Sequence, residues 1–314
     1  MTTTAAEPGT GDPFVHPALF YRDDQEYLAG TVPFLLEGLA AAEPVAVAAP
    51  AARLALITSE LGRAARAVHL VDMAVAGRNP GRIIPSVLRA FADPRTDVRV
   101  RIVGEPVWAG RSAAEYPACV QHEALINEAF RGRDAIILCP YDARSLPADV
   151  LADAHATHPV LIAQGHRRPS DAYDPGEVLA RYNEPLRHPP GAAVFPFDAG
   201  TLPGVRDFAL AQARERGMRG ARLQDLALVV AELTTNSVVH AGGGGTLLLW
   251  AENDQIVCQV QDVGRLSDPL AGRRPARSDQ IGGRGLLLVH HLSDLVRLHT
   301  GDDGTTTRSY LSRA

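Results

Sequence analysis

Over the first 166 positions the chain alternates two apolar patterns. Short apolar runs at Val45–Ala49, 98–103, 135–139 and Val160–Ala163 predict strands, that at Val45–Ala49 buried on both faces. Between them, apolar residues recur at helical spacing in 28–41, 83–91, 115–130 and 146–155. Strands separated by helices need right-handed crossover connections, so residues 14–166 are expected to form an α/β domain with a mostly parallel sheet. Residues 1–13 read as a flexible polar tail.

The pattern changes after residue 166. Residues 167–192 carry five prolines among polar residues and read as an interdomain linker, with room for a short helix near 177–182. Residues 193–314 then predict a strand at 193–197, helices at 205–215 and 223–240, and a hairpin of 246–252 with Gln255–Asp262. Asn253-Asp254 suits its turn because Asn and Asp tolerate positive φ. A helix at Gly285–Leu292 and strands at 295–300 and 306–311 complete the chain, so helices are expected on one face of a largely antiparallel sheet, an α+β sandwich.

Composition narrows the function. With 314 residues the chain is long enough for two domains, and 46% hydrophobic and 21% charged residues suit two ordinary cores. The net charge is −5, and arginines are scattered among acids rather than gathered in a stripe, which disfavours direct nucleic-acid binding. Cys119, Cys139 and Cys258 form no CxxC pair and read as small buried hydrophobes in a reducing compartment, not as a structural zinc site. Neither a signal peptide nor a span of about 18 apolar residues is present, so a cytoplasmic protein without a membrane partner is expected.

The most informative constellation lies on the 223–240 helix, where Glu232, Asn236 and His240 recur every four residues opposite Leu226, Val230 and Leu233. Alone, such a stripe reads as a solvated face. Downstream, however, Asp262-Val263-Gly264 ends a strand, Gly282-Gly283-Arg284-Gly285 opens a helix, and Gly304-Thr305-Thr306 enters the last strand. In that order these segments resemble the N, G1, G2 and G3 boxes of the GHKL ATPases, which include anti-sigma kinases, sensor histidine kinases, gyrase and Hsp90. The box Glu-Leu-Thr-Thr-Asn-Ser-Val-Val-His-Ala is most similar to the anti-sigma serine kinases of the SpoIIAB and RsbW kind.

That resemblance implies a Bergerat-type sandwich with ATP and magnesium as cofactors. Asn236 would ligate Mg, its neutral oxygen suiting a hard cation shared with phosphates. Glu232 would be the general base. Asp262 would accept from the adenine amino group beside Gly264, and Gly282, Gly283, Gly285 and Leu286 would form a phosphate cradle at a helix start, with charge added by Arg284. His240 would share the pocket stripe, and Thr305 or Thr306 would close the adenine pocket. One departure stands out: Leu266 occupies the position of the second G1 glycine, ahead of an arginine-rich loop at 265–281 that would be the ATP lid. Nucleotide binding is expected; phosphoryl transfer is left open.

The first domain resembles the MEDS sensory domain of DcmR-type regulators in His16-Pro17-Ala18-Leu19-Phe20-Tyr21, Tyr27-Leu28, Val71-Asp72, Glu123-Ala124-Leu125-Ile126-Asn127 and Cys139-Pro140-Tyr141-Asp142. This implies a degenerate RecA/KaiC-like core. Ala49-Pro50-Ala51-Ala52-Arg53-Leu54, after the apolar run taken as the first strand, lacks a P-loop, so the domain is expected to sense or dock rather than hydrolyse ATP. His16, His69, His122, His155 and His158 are conceivable metal ligands, with His155 and His158 the nearest pair, but capping or exposure is favoured. Trp108 and Tyr116, and Glu123 with Asn127 on one helix face, fit packing or pocket lining.

The two domains in this order resemble the RsbA family of anti-sigma regulators. The resemblance implies that a sigma factor and an anti-sigma antagonist protein are partners, that a small-molecule or protein signal acts at the first domain, and that the chain could pair as a homodimer. An active enzyme would be a protein serine/threonine kinase acting on the antagonist. The alternatives are a nucleotide-binding switch without kinase activity and a sensor histidine kinase. The latter needs a phosphoacceptor His on a helical hairpin, which the Pro-rich 167–192 segment does not offer.

Overall fold

The computed structural model describes residues 12–275 and 283–314. In the first domain β1 (Pro17–Tyr21) leads to α1 (Asp24–Ala40), whose N-terminus is capped by Asp23 accepting from the Glu26 amide. The chain continues through β2 (Val45–Ala49), α2 (Ala51–Leu61), β3 (Val68–Asp72), α3 (Met73–Ala76), α4 (Arg89–Ala92), β4 (Val100–Gly104), α5 (Tyr116–Ala129), β5 (Ala135–Asp142), α6 (Ala148–Thr157), β6 (Val160–Ala163), β7 (His166–Pro169) and α7 (Pro175–Arg181). The sheet order is β3-β2-β4-β5-β1-β6-β7, parallel except for β7 against β6. Val45, Val47 and Ala49 pack with α1 and α2 on one face, while Ala46 and Ala48 face the cluster that contains residues of α5. Burial on both faces explains why β2 reads as an unbroken apolar run.

Three features differ from the sequence reading. The first strand is Pro17–Tyr21, not Val45–Ala49, and it lies between β5 and β6; the Arg22-Asp23-Asp24-Gln25 segment after it is no P-loop either. The helix expected at 83–91 is a 3-10 turn at Pro80–Arg82, a π-helical turn at Ile83–Leu88 and then α4, because Pro85 has no N–H to continue an α-helical ladder. The proline-rich 167–192 segment contributes β7 and α7, which pack on the first domain.

The second domain is built from β8 (Ala193–Asp198), α8 (Leu202–Glu215), α9 (Gly220–His240), β9 (Gly244–Glu252), β10 (Gln255–Asp262), α10 (Gly285–Leu292), β11 (Leu295–Gly301) and β12 (Gly304–Ser312). Its antiparallel sheet has the order β11-β12-β10-β9-β8, and the β9–β10 turn takes Asn253 at φ 52. The three helices bury Val205, Ala209, Leu226, Val230, Leu233 and Val289 on one face. On the other, Leu248, Trp250, Val257, Leu295 and Tyr310 meet Ala118 of α5. The segment before β8 also crosses this face: Arg187 O accepts from Arg308 Nη2 at 2.6 Å, and Asn183 Nδ2 donates to Thr300 O at 2.7 Å.

The first domain caps α10. A helix end leaves carbonyls without intrahelical partners, and here Asn79 Nδ2 donates to His290 O at 2.8 Å and Arg82 Nε to the same oxygen at 3.0 Å. Arg82 Nη2 also donates to Ser293 O at 3.1 Å and to His291 O. Leu270, from the loop after β10, is buried in the apolar core of the first domain. Arg273 is buried nearby, and burial lowers its guanidinium to about 10. Among the described residues no helix is long and apolar enough to cross a membrane.

Candidate functional site

Helix α9 has two sides. Leu226, Val229, Val230 and Leu233 are buried against the sheet, whereas Glu232 and Asn236 are half-buried and His240 is exposed. A cavity of about 590 Å³ opens beside the polar side, and its lining includes Asn236, His240, Asp262, Gly264, Gly283, Gly285, Leu286 and Thr305. Glu232 and Arg284 line an adjoining cavity of about 810 Å³, which shares Asn236, His240, Gly283 and Gly285 with the first. Of the two candidate threonines, Thr305 lines the first cavity and Thr306 lines neither; Thr307, two residues on along the strand, faces the cavity as strand alternation requires. Gly282 lies outside the described residues.

The β10 end of the cavity is held in place by its neighbours. Ser237 Oγ donates to Asp262 Oδ2 at 2.6 Å, and the Gly264 amide donates to Asp262 Oδ1 at 3.0 Å. Register opposes Asp262 to Thr305, whose Oγ1 donates to Gly264 O at 2.7 Å. Gly304, at φ +116, enters this strand where an added Cβ would lie 1.9 Å from Asp262 O, so glycine is required there. The Leu266 amide donates to Thr300 Oγ1 at 3.1 Å and Thr305 Oγ1 at 3.3 Å, and its side chain lines the cavity.

The start of α10 lies directly against α9. A Cβ on Gly285 would stand 2.6 Å from Glu232 Oε2 and 3.3 Å from Asn236 Nδ2. Gly283 and Gly285, at the start of α10, line both cavities, and a helix start carries amides without intrahelical partners. An amide-bearing helix start, a neutral Asn oxygen, a carboxylate held by two donors and a volume inside the usual range of about 300–1,000 Å³ fit a phosphorylated, ring-bearing ligand with a hard cation.

The first domain supplies part of the wall. Arg89 and Asp93, paired at 2.7 Å, line the first cavity, and Arg82, Pro85 and Ser86 line the second. Sequence reading did not identify these residues or Ser237. Ser237 comes directly after Asn236, but only the approach of β10 gives it a role; nothing local in the chain marks Arg89.

Residues 15–159 match the family described as MEDS, the MEthanogen/methylotroph, DcmR Sensory domain. Residues 195–310 match the family described as Histidine kinase-like ATPase domain. Among solved structures, that of the RsbU and RsbW domains of Rv1364c from Mycobacterium tuberculosis is 19% identical with a TM-score of 0.30; the match covers 40% of this chain and 33% of that one. The chain thus spans about a third of that protein's length. The Acinetobacter baumannii histidine kinase AdeS is 12% identical over 63% of this chain and 95% of that chain, with a TM-score of 0.25. Neither likeness is close enough to carry function across. No curated protein matches the chain. The chain joins a MEDS sensory domain to a histidine kinase-like ATPase domain.

Proposed function

We propose that the chain is a cytoplasmic, ATP-binding anti-sigma regulator whose first domain acts on its nucleotide pocket. The supporting observation is the convergence of Asn236, Asp262, the Gly283–Gly285 segment and Thr305 on one cavity, with Arg89 and Asp93 of the first domain on its wall. Bound ATP would supply a transferable phosphoryl group, and magnesium would neutralise its charge. In this reading Asp262 reads the adenine, Asn236 holds the metal and the α10 amides receive the phosphates. Glu232 takes the proton from a Ser or Thr hydroxyl of an anti-sigma antagonist. A signal that shifts residues 78–93 would move α10 through the Asn79 and Arg82 contacts, and so change which partner the ATPase domain holds.

A second reading is a switch that binds nucleotide without using it, and it is favoured by Leu266 on the cavity wall where the G1 pattern has glycine. A histidine kinase has less support, since residues 183–192 are irregular chain lying on the sheet rather than a helical hairpin. One experiment separates the three. The purified chain is mixed with magnesium, γ-labelled ATP, a sigma factor and its antagonist. Label on the antagonist with ATP-dependent sigma capture is expected. Bound but unhydrolysed ATP points to the switch, and label on the chain itself to the histidine kinase. Absence of nucleotide binding overturns the proposal.

A further inference from the structure

Four buried side chains with metal-ligating atoms meet in the first domain, and none of them lines either cavity. His16 precedes β1, Cys139 lies on the adjacent β5, Glu123 is on α5, and His158 closes α6. All are sealed from solvent, and one ligand atom from each lies within 4.8 Å of the others. His16 Nε2 is 3.2 Å from Glu123 Oε2 and 3.3 Å from Cys139 Sγ, and His158 Nε2 is 3.3 Å from the same carboxylate oxygen.

The outer ring nitrogens fix the tautomers. Asn127 Nδ2 donates to Thr157 O at 2.9 Å and to Ala124 O at 3.2 Å, so its Oδ1 is the acceptor facing His16 Nδ1 at 3.1 Å. His158 Nδ1 faces Ala154 O, which can only accept, at 2.9 Å. Each Nδ1 therefore carries a hydrogen, and each neutral ring aims the Nε2 lone pair at a carboxylate that also only accepts. Glu123 Oε1 and Oε2 and His158 Nε2 have no hydrogen-bond partner. Protonating both rings would place two like charges on rings 4.1 Å apart in a site closed to water. The acceptors converge with the Cys139 thiol and the Tyr141 hydroxyl as the donors beside Glu123, and none beside His158 Nε2, an arrangement that a cation would satisfy.

We propose that His16, Glu123, Cys139 and His158 bind a divalent transition-metal ion, zinc by the chemistry of the donor set. Tetrahedral zinc, with bonds of about 2.0–2.1 Å to nitrogen and oxygen and about 2.3 Å to sulfur, has ligand–ligand edges of about 3.3–3.6 Å. The three close contacts above match those edges within about 0.3 Å. Thiolate plus carboxylate would cancel the charge of a divalent ion in a site closed to water. Asn127 and Ala154 O hold the outer nitrogens as second-layer partners of metal-bound histidines do. Four protein ligands leave no open position, so the site is structural or sensory rather than catalytic. Helix α5 carries both Glu123 and Ala118, the residue that meets the ATPase sheet, so metal occupancy is mechanically linked to the second domain.

The test uses the full-length, reduced chain without a histidine tag, titrated with Co(II) and then Zn(II). One cobalt per chain is expected, with a thiolate charge-transfer band and tetrahedral ligand-field absorption that zinc abolishes stoichiometrically. Cys139→Ser should lose the charge-transfer band, and Asn127→Ala should weaken binding about 10–100-fold, with far-UV circular dichroism unchanged in both. His155→Ala, a neighbour that packs on Phe20 instead, should bind like wild type. A folded wild-type chain that takes up neither ion overturns the site. A band that survives in Cys139→Ser overturns the ligand set, and if that variant does not fold, wild-type uptake and Asn127→Ala still decide.

Discussion

Two glutamates on two helices show how differently the domains treat polar residues. Glu232 on α9 is half-buried and opens onto a cavity, whereas Glu123 on α5 is sealed between two imidazoles. The second domain leaves Asn236 and Asp262 on the wall of a cavity that a ligand can fill; the first domain turns its polar groups on one another in the core. An open site can lose a side chain cheaply and fail only in binding or chemistry. A sealed one fails in stability, because whatever is left behind has no water to turn to.

The contrast can be broken at several points. The largest effect is expected for Glu123→Ala, which leaves a cavity in the sealed core and should cost about 2–5 kcal/mol in urea unfolding; a near-neutral result would mean that the core admits water. Glu105 is next. Burial pushes its carboxyl up to about 7, against the pull of Arg53 and of the Tyr21 and Tyr27 hydroxyls. Between about pH 4.5 and 7 the folded chain then holds a proton that the unfolded chain has released, so wild-type stability falls as pH rises through that window. Relative to Glu105→Gln, the wild type should lose about 2–3 kcal/mol from pH 4.5 to 8, and parallel pH profiles would count against a sealed Glu105. Asn79→Ala, at the domain contact, takes one donor each from His290 O and Ser293 O, which keep Arg82, and should cost about 0.5–1.5 kcal/mol, read as a lower melting temperature. Glu232→Ala should change stability by less than about 0.5 kcal/mol and spare ATP affinity while abolishing any phosphoryl transfer; a variant that still labels the antagonist would place the base elsewhere.

Legibility divides along the same line. Val45–Ala49, Gln255–Asp262 and Gly285–Leu292 have the bounds their apolar patterns predict, because each pattern reports the face it buries. β7 carried no such signal, since all of His166–Pro169 is exposed on a sheet edge, and the helical spacing at 83–91 concealed the break at Pro85. The candidate nucleotide boxes stand out because each is a short contiguous run of residues and the runs keep their order along the chain. Arg89, Asp93 and Ser237 reach the cavity only through tertiary packing. His16, Glu123, Cys139 and His158 are brought together by long-range contacts, such as that of His16 with Cys139 at a sequence separation of 123, whereas sequence proximity drew attention to His155 and His158. Folding separates that pair, setting His155 on Phe20 and His158 on His16.

The central claim, that the second domain holds nucleotide on Asp262 and Asn236, is tested most directly by calorimetric titration of magnesium-ATP into the full-length chain and into Asp262→Asn. The account predicts one nucleotide per wild-type chain, a loss of about 10–100-fold in Asp262→Asn, and weakened magnesium-dependent binding in Asn236→Ala. Equal affinity in wild type and Asp262→Asn would contradict it.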